Sequence, residues 1–304
     1  MSTYTIKDLE HLTGIKAHTL RIWEQRYKII IPKRSETNIR YYNDDDLKLM
    51  LNVSLLNSHG IKISKIAKLT REQIREEVFN VLSTNETYSD QITQLTSSML
   101  NFDELQFEKI ISSSILKYSF EESMINIIMP FLTRIGFLWQ IGAISPAQEH
   151  FISHLIRQKI IVALDAIVYR DDKDLPRFTL FLPEGELHEI TLLFASYIIK
   201  SRGFKVTYLG QSLPMQELKE VYKTTPSEYM LTVSTSLLKI GNLQDYILQL
   251  GKEFSDTKIF LTGRQVIGMD YELTENTQIL PSLPSFISLV EGLSKKQSMS
   301  DANA

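Results

Sequence analysis

The chain has 304 residues, of which 43% are hydrophobic and 23% charged, the balance of a soluble protein with room for two or three small domains. It holds no cysteine, which excludes disulfide frameworks, thiolate zinc sites and cysteine nucleophiles. It shows neither a membrane-length apolar run nor a secretory signal pattern, so a cytoplasmic address and no membrane partner are expected.

Charge is unevenly spread. Residues 1–71 carry 13 Lys and Arg against 7 Asp and Glu, a net of +6, while the remainder carries −9. A basic head on an acidic body suits a polyanion partner for the head alone. Within the head, YTIKDLEHL (4–12) sets Ile6, Leu9 and Leu12 at helical spacing, and Thr5 with Asp8 predicts a capping box. Gly14 supplies the following turn, and AHTLRIWEQRY (17–27) is a second short helix. Leu20, Trp23 and Tyr27 form its apolar side, with Thr19, Arg21, Gln25 and Arg26 mostly outward. Two short helices across a glycine turn, the second rich in Arg, Thr and Gln, are the pattern that lays a recognition helix in the major groove. Pro32-Lys33-Arg34 and Asn38-Ile39-Arg40-Tyr41-Tyr42 read as a short hairpin or wing. Asp44–Asp46 then open a helix at the positive end of its dipole.

Over about residues 3–72 the chain resembles the MerR family of regulators, through TIKDLEHLTGI, LRIWEQRY and a wing ending RYY before Asp and a helix. The resemblance implies contacts to double-stranded operator DNA from Thr19, Arg21, Arg26, Arg34, Arg40 and Tyr41, with Arg21 reading a base edge. A homodimer or homotetramer is expected, because one helix-turn-helix reads only a half-site.

Residues 80–170 read as helices throughout, enough for a four-helix bundle. Leu105, Ile110, Ile111, Ile115 and Leu116 belong to one apolar stretch; Met124, Ile127, Ile128, Phe131 and Leu132 belong to another. Trp139 precedes Glu149-His150 with nine residues between, the pair riding on a helix that Pro146 starts. Taken alone, these read as a core tryptophan and a helix-surface pair. From Arg177 onward RFTLFL, KVTYL, EYMLTVST, KIFLT and TQILPS are strands. Helices fall at Glu189–Ser201, at MQELKEVY, near Asp245–Phe254 and around Phe286–Leu293. The expected fold is multidomain: an all-α winged helix-turn-helix (1–72), a four-helix bundle (80–170) and a doubly wound, Rossmann-like α/β domain (176–297). Ligands of such sheets bind at the carboxyl ends of the strands.

The loop after the first strand, Pro183-Glu184-Gly185-Glu186-Leu187-His188, sets a His two residues after a carboxylate. One ring nitrogen of such a His can take a metal while the partner fixes the other. The segment resembles the cobalamin-binding domain of corrinoid enzymes, whose loop carries an acidic-x-His-x-x-Gly motif. YLGQSLP follows the second strand, Ser234-Thr235-Ser236 stands at a Ser-x-Leu position, and Gly263-Arg264 at Gly-Gly. Head, bundle and domain together resemble the light-responsive, cobalamin-dependent repressors of the CarH/LitR type. The resemblance implies adenosylcobalamin, with His188 as lower cobalt ligand and Trp139 and Glu149 over the upper face. His150, Glu186, Ser234 and Gly263 complete the candidate cofactor site. In that scheme the cofactor holds a DNA-binding tetramer, and light dissolves it.

Four positions depart from the pattern. Thr191 replaces the motif glycine, Ser236 the leucine and Arg264 the second glycine, at positions that line the slot for the nucleotide tail. Either Thr191 and Arg264 narrow the slot, or Arg264 pairs with the tail phosphate. Gln140 stands where the best-matched repressors carry a His that becomes the upper ligand after photolysis, so no bis-histidine product is expected through that position. Beside the repressor reading stand a cofactor-independent regulator that keeps the fold for protein interaction, and a haem-binding version through His188. A corrinoid enzyme subunit is disfavoured, since nothing in the chain supplies substrate machinery.

Overall fold

A capping box opens the first helix in the computed structural model, which describes residues 4–34, 40–82, 88–140, 144–168, 175–236 and 242–301. These fall into two compact units, Met1–Leu155 and Ile156–Ala304. Among the described residues no helix is long and apolar enough to cross a membrane.

In the first unit, helix α1 (Ile6–Thr13) begins where Thr5 accepts from the Asp8 N–H and Asp8 accepts from the Thr5 N–H, satisfying two donors that a helix start leaves over. It ends at Gly14, whose φ of 74° closes the turn into α2 (Ala17–Tyr27). Leu20 and Trp23 are buried on the inner side of α2. Strands β1 (Lys33–Arg34) and β2 (Arg40–Tyr41) pair antiparallel as the base of the wing, whose tip, with Asn38 and Ile39, lies outside the described residues. Tyr4 and Tyr42, both fully buried, bridge the start of the chain to the end of β2. Helix α3 (Asp44–Ser58) carries a second capping box, between Asn43 and Asp46. The acidic run therefore acts as a reciprocal cap as well as a dipole partner. Ser54 Oγ donates to the Thr13 carbonyl at 2.6 Å, fastening the end of α1 to α3.

Short α4 (Ile63–Ile66) and α5 (Arg71–Leu82) lead to the bundle: α6 (Tyr88–Asn101), α7 (Glu104–Tyr118), a composite third helix and α10 (Pro146–Asp165). The third helix is α8 (Phe120–Ser123), a π-turn over Met124–Ile128, and α9 (Met129–Gln140). The π-turn has a cause in the sequence. Pro130 has no N–H and its ring crowds the carbonyl four residues back; widening the preceding turn relieves that clash, and Met129 N–H bonds to the Met124 carbonyl instead. Met99, Phe107, Ile127, Phe131, Leu138 and Ile152 are buried in this bundle. Leu105 and Leu116 of the expected apolar stretch are exposed, so only part of that stretch is core.

The second unit is a five-stranded, wholly parallel sheet. Its strands are β3 (Arg177–Pro183), β4 (Lys205–Leu213), β5 (Tyr229–Val233), β6 (Lys258–Thr262) and β7 (Thr277–Ile279). The order β4-β3-β5-β6-β7 reverses direction between β3 and β5, the switch point at which open sheets of this order bind ligands. Helices α11 (Ile190–Ser201), α12 (Met215–Thr224), α13 (Leu243–Glu253) and α14 (Leu283–Asp301) make the crossovers and the close. Strand β3 is buried along nearly its whole length, as a central parallel strand requires. Strand β4 runs four residues beyond the expected KVTYL, through Gly210 to Leu213.

Candidate functional site

The outward surface of α2 and the wing is built around a carboxylate that the charge pattern alone does not single out. Glu24, on α2, faces Arg40 Nε at 3.5 Å and accepts from the Tyr42 hydroxyl at 3.4 Å, tying β2 to the helix. Burial, together with the charge and hydrogen bond of Glu24, pushes the Tyr42 phenol up to about 12. Of the expected DNA contacts, Arg21, Arg26 and Arg34 are exposed, while Thr19, Arg40 and Tyr41 are half-buried. Arg40 is thereby held by α2 and fixes the wing.

At the carboxyl end of β3 the chain turns through Gly185, at φ 85°, whose N–H donates to Ser212 Oγ at 3.0 Å. Ser212 in turn donates its N–H to the Glu186 carbonyl, and Gln211 Nε2 donates to the Leu187 carbonyl at 2.6 Å, so β4 holds the loop at two points. The Glu186 side chain is wholly buried. One oxygen accepts from the N–H groups of Leu187 and His188 and from His188 Nδ1, the last at 2.6 Å. The other accepts from the N–H groups of Thr235 and Ser236 and from Ser236 Oγ, at 2.7, 2.7 and 3.0 Å. Burial raises the carboxyl's pKa, but the bonds from the His188 ring and the Ser236, His188 and Thr235 main chain outweigh it and hold Glu186 far below the usual carboxylate range. An ionised carboxylate only accepts, so Nδ1 of His188 carries its proton there, and a neutral ring keeps its lone pair on Nε2. His188 itself is 63% exposed in its side chain. Next to it, Glu189 pairs with Arg157 at 3.0 Å and accepts from Tyr208 at 3.3 Å, anchoring the start of α11.

The neighbouring loop ends lie beside this pair. Ser234, two residues before Ser236 and 2% exposed, has a side-chain oxygen with no hydrogen-bond partner among the described residues. Gly263, at φ 110°, passes so close to β5 that a Cβ there would lie 2.4 Å from the Ser234 carbonyl oxygen. Glu186, His188, Ser234, Ser236 and Gly263 thus meet at the switch point. Thr191 sits half-buried in the first turn of α11, and Arg264 is exposed beside Gly263. Ser236, expected in the tail slot, spends its hydroxyl and N–H on Glu186, a role set by where β5 ends. Among the described residues no three His, Cys, Asp or Glu gather as they would around a bare metal ion.

In the first unit Trp139 is 49% exposed, against the reading of a core tryptophan. Glu149 accepts from Ser153 Oγ at 2.6 Å and pairs with His150 Nδ1 at 2.7 Å, all on α10. Gln140 closes α9, and its side chain lies outside the described residues.

A helix-turn-helix with its wing, a helical bundle and a doubly wound sheet with a carboxylate-backed histidine define a multidomain regulator of transcription. Residues 4–73 match the family described as MerR HTH family regulatory protein, and residues 91–163 match the B12 binding domain. The two matches support a MerR-type DNA-binding head followed along the chain by a B12-binding-type bundle. It is 26% identical to the HTH-type transcriptional repressor CarH of Myxococcus xanthus, over 71% of this chain and 73% of that protein. It is 29% identical to the repressor CarA of the same organism, over 71% of each. The monomethylamine corrinoid protein of Methanosarcina barkeri shares the fold, with a TM-score of 0.52 at 14% identity, covering 68% of this chain and 100% of that one.

Proposed function

We propose that this regulator binds adenosylcobalamin through its second unit and that the cofactor sets its assembly as a repressor on DNA. The observation that carries the reading is the Glu186–His188 pair, in which a buried ionised carboxylate orients an exposed imidazole at the switch point of the sheet. The surroundings fit the group. Ser234 Oγ is a buried hydroxyl lacking a partner, of the kind a tail nitrogen satisfies, and Gly263 lets its loop pack directly on the Ser234 backbone. Bound there, the corrinoid supplies a cobalt centre whose carbon bond light can break. His188 would hold the metal while Glu186 fixes its ring, and Arg264 would meet the tail phosphate. Trp139, Glu149 and His150 are assigned to the cofactor on the resemblance to the CarH/LitR type alone. DNA is assigned to Arg21, Arg26 and Arg34 with Thr19 and Tyr41, and Arg40 supports the wing. Residues 1–72, 80–170 and 176–297 are the working modules, acting in the cytoplasm as a homodimer or homotetramer.

Incubation with adenosylcobalamin in the dark tests this. The expected result is red protein-bound cofactor with a shift to higher mass on a sizing column, both lost in His188→Ala. Intact DNA binding without cofactor uptake would overturn the cobalamin reading in favour of a cofactor-independent regulator.

A further inference from the structure

One residue on the outward side of α2 has no part in phosphate binding. Ile22 is 50% exposed, while its neighbours Leu20 and Trp23 are buried. His18 lies one turn before it and Gln25 and Arg26 one turn after, all exposed, with Arg21 alongside. At about 100° per residue these five side chains share one face, and Ile22 stands near its middle. A single exposed apolar residue is ordinary on a protein surface. Here its position is the informative feature. A β-branched side chain is a poor filler for a solvated helix face, and polar groups surround it on a helix read as entering the major groove.

The floor of that groove offers one apolar group, the C5 methyl of thymine; every other distinguishing feature there is a hydrogen-bond donor or acceptor. We propose that Ile22 packs on a thymine methyl in each half-site and is a specificity-determining residue of this regulator. Arg21 and Gln25, on one flank of Ile22, have the donors and acceptors to read adjacent base edges, and Arg26 lies on the other flank. The inference rests on the reading of α2 as the DNA-facing helix and adds the base class that this helix selects.

The test uses the full-length protein, in the dark with adenosylcobalamin present. Duplexes are first selected from a random pool, and each thymine of the selected site is then replaced in turn by deoxyuridine, which removes only the methyl. Wild type is expected to lose roughly fourfold in affinity at one thymine per half-site, the contribution of one buried methyl. Ile22→Ala is expected to bind thymine and deoxyuridine duplexes equally, with the wild-type salt slope, because no charge has been removed. The proposal is overturned if no deoxyuridine substitution weakens wild type, or if Ile22→Ala keeps the full deoxyuridine penalty. Selective binding without any methyl dependence leaves the DNA reading standing and removes Ile22 from it. A protein that enriches no duplex overturns the DNA reading, and this inference with it.

Discussion

Glu186 shows how much of a site a short motif can announce. A carboxylate two residues before a histidine was legible as a candidate ligand pair, and the structure joins the two at 2.6 Å. Its second half was not legible: Thr235 and Ser236 are about fifty residues away and reach Glu186 only because β3 and β5 are neighbours. Removing the charge should therefore act through His188. Glu186→Gln is expected to lower cobalamin affinity 10- to 100-fold, read by absorbance titration, while His188 remains present. Gly263 yields a separate prediction. Gly263→Ala forces a strained φ and a Cβ against the Ser234 backbone, and is expected to destabilise the second unit by on the order of 3 kcal/mol, measured by denaturant unfolding.

Helix starts were the best-read elements, because a capping box is written within four residues. The Thr5–Asp8 box and the limits of α2 agree with the sequence reading, and Asn43–Asp46 adds a box in a run first read for its charge. Asn43→Ala is expected to cost about 1 kcal/mol by thermal unfolding. Contacts between elements were illegible. His59, at the end of α3, has Nδ1 at 2.8 Å from the Leu55 carbonyl and Nε2 at 3.2 Å from Asp90 of α6. Nothing in the spacing of residues 59 and 90 announces that meeting. His59→Ala leaves the mostly buried Asp90 without this partner and is expected to destabilise the first unit by about 1–3 kcal/mol, again by unfolding. The π-turn was equally hidden, since Met124–Ile128 has the composition of any buried helix and only Pro130 hints at it.

At the scale of the whole chain, strand count and helix order in the sheet follow the sequence reading, through the change from helical to alternating periodicity. The net of +6 on residues 1–71 gives a measurable expectation. DNA affinity should fall steeply with salt, and Arg26→Ala should lower affinity across sequences and reduce the logarithmic salt slope by about 0.9, one phosphate's worth. Such a loss differs in kind from that of a base-reading residue, which changes which sequence is chosen.

The π-turn also acts as a phase step. It adds one residue to a turn, so the helix on its far side is rotated by roughly 100° relative to an uninterrupted one. Trp139 lies on that far side. Closing the turn to ordinary α-helical winding through Pro130→Ala, with every residue kept, would carry the indole about a quarter of the way round the helix axis. Which direction the tryptophan faces is thus governed by the winding of one turn some ten positions upstream, which a change at Pro130 retunes without altering any side chain near the indole.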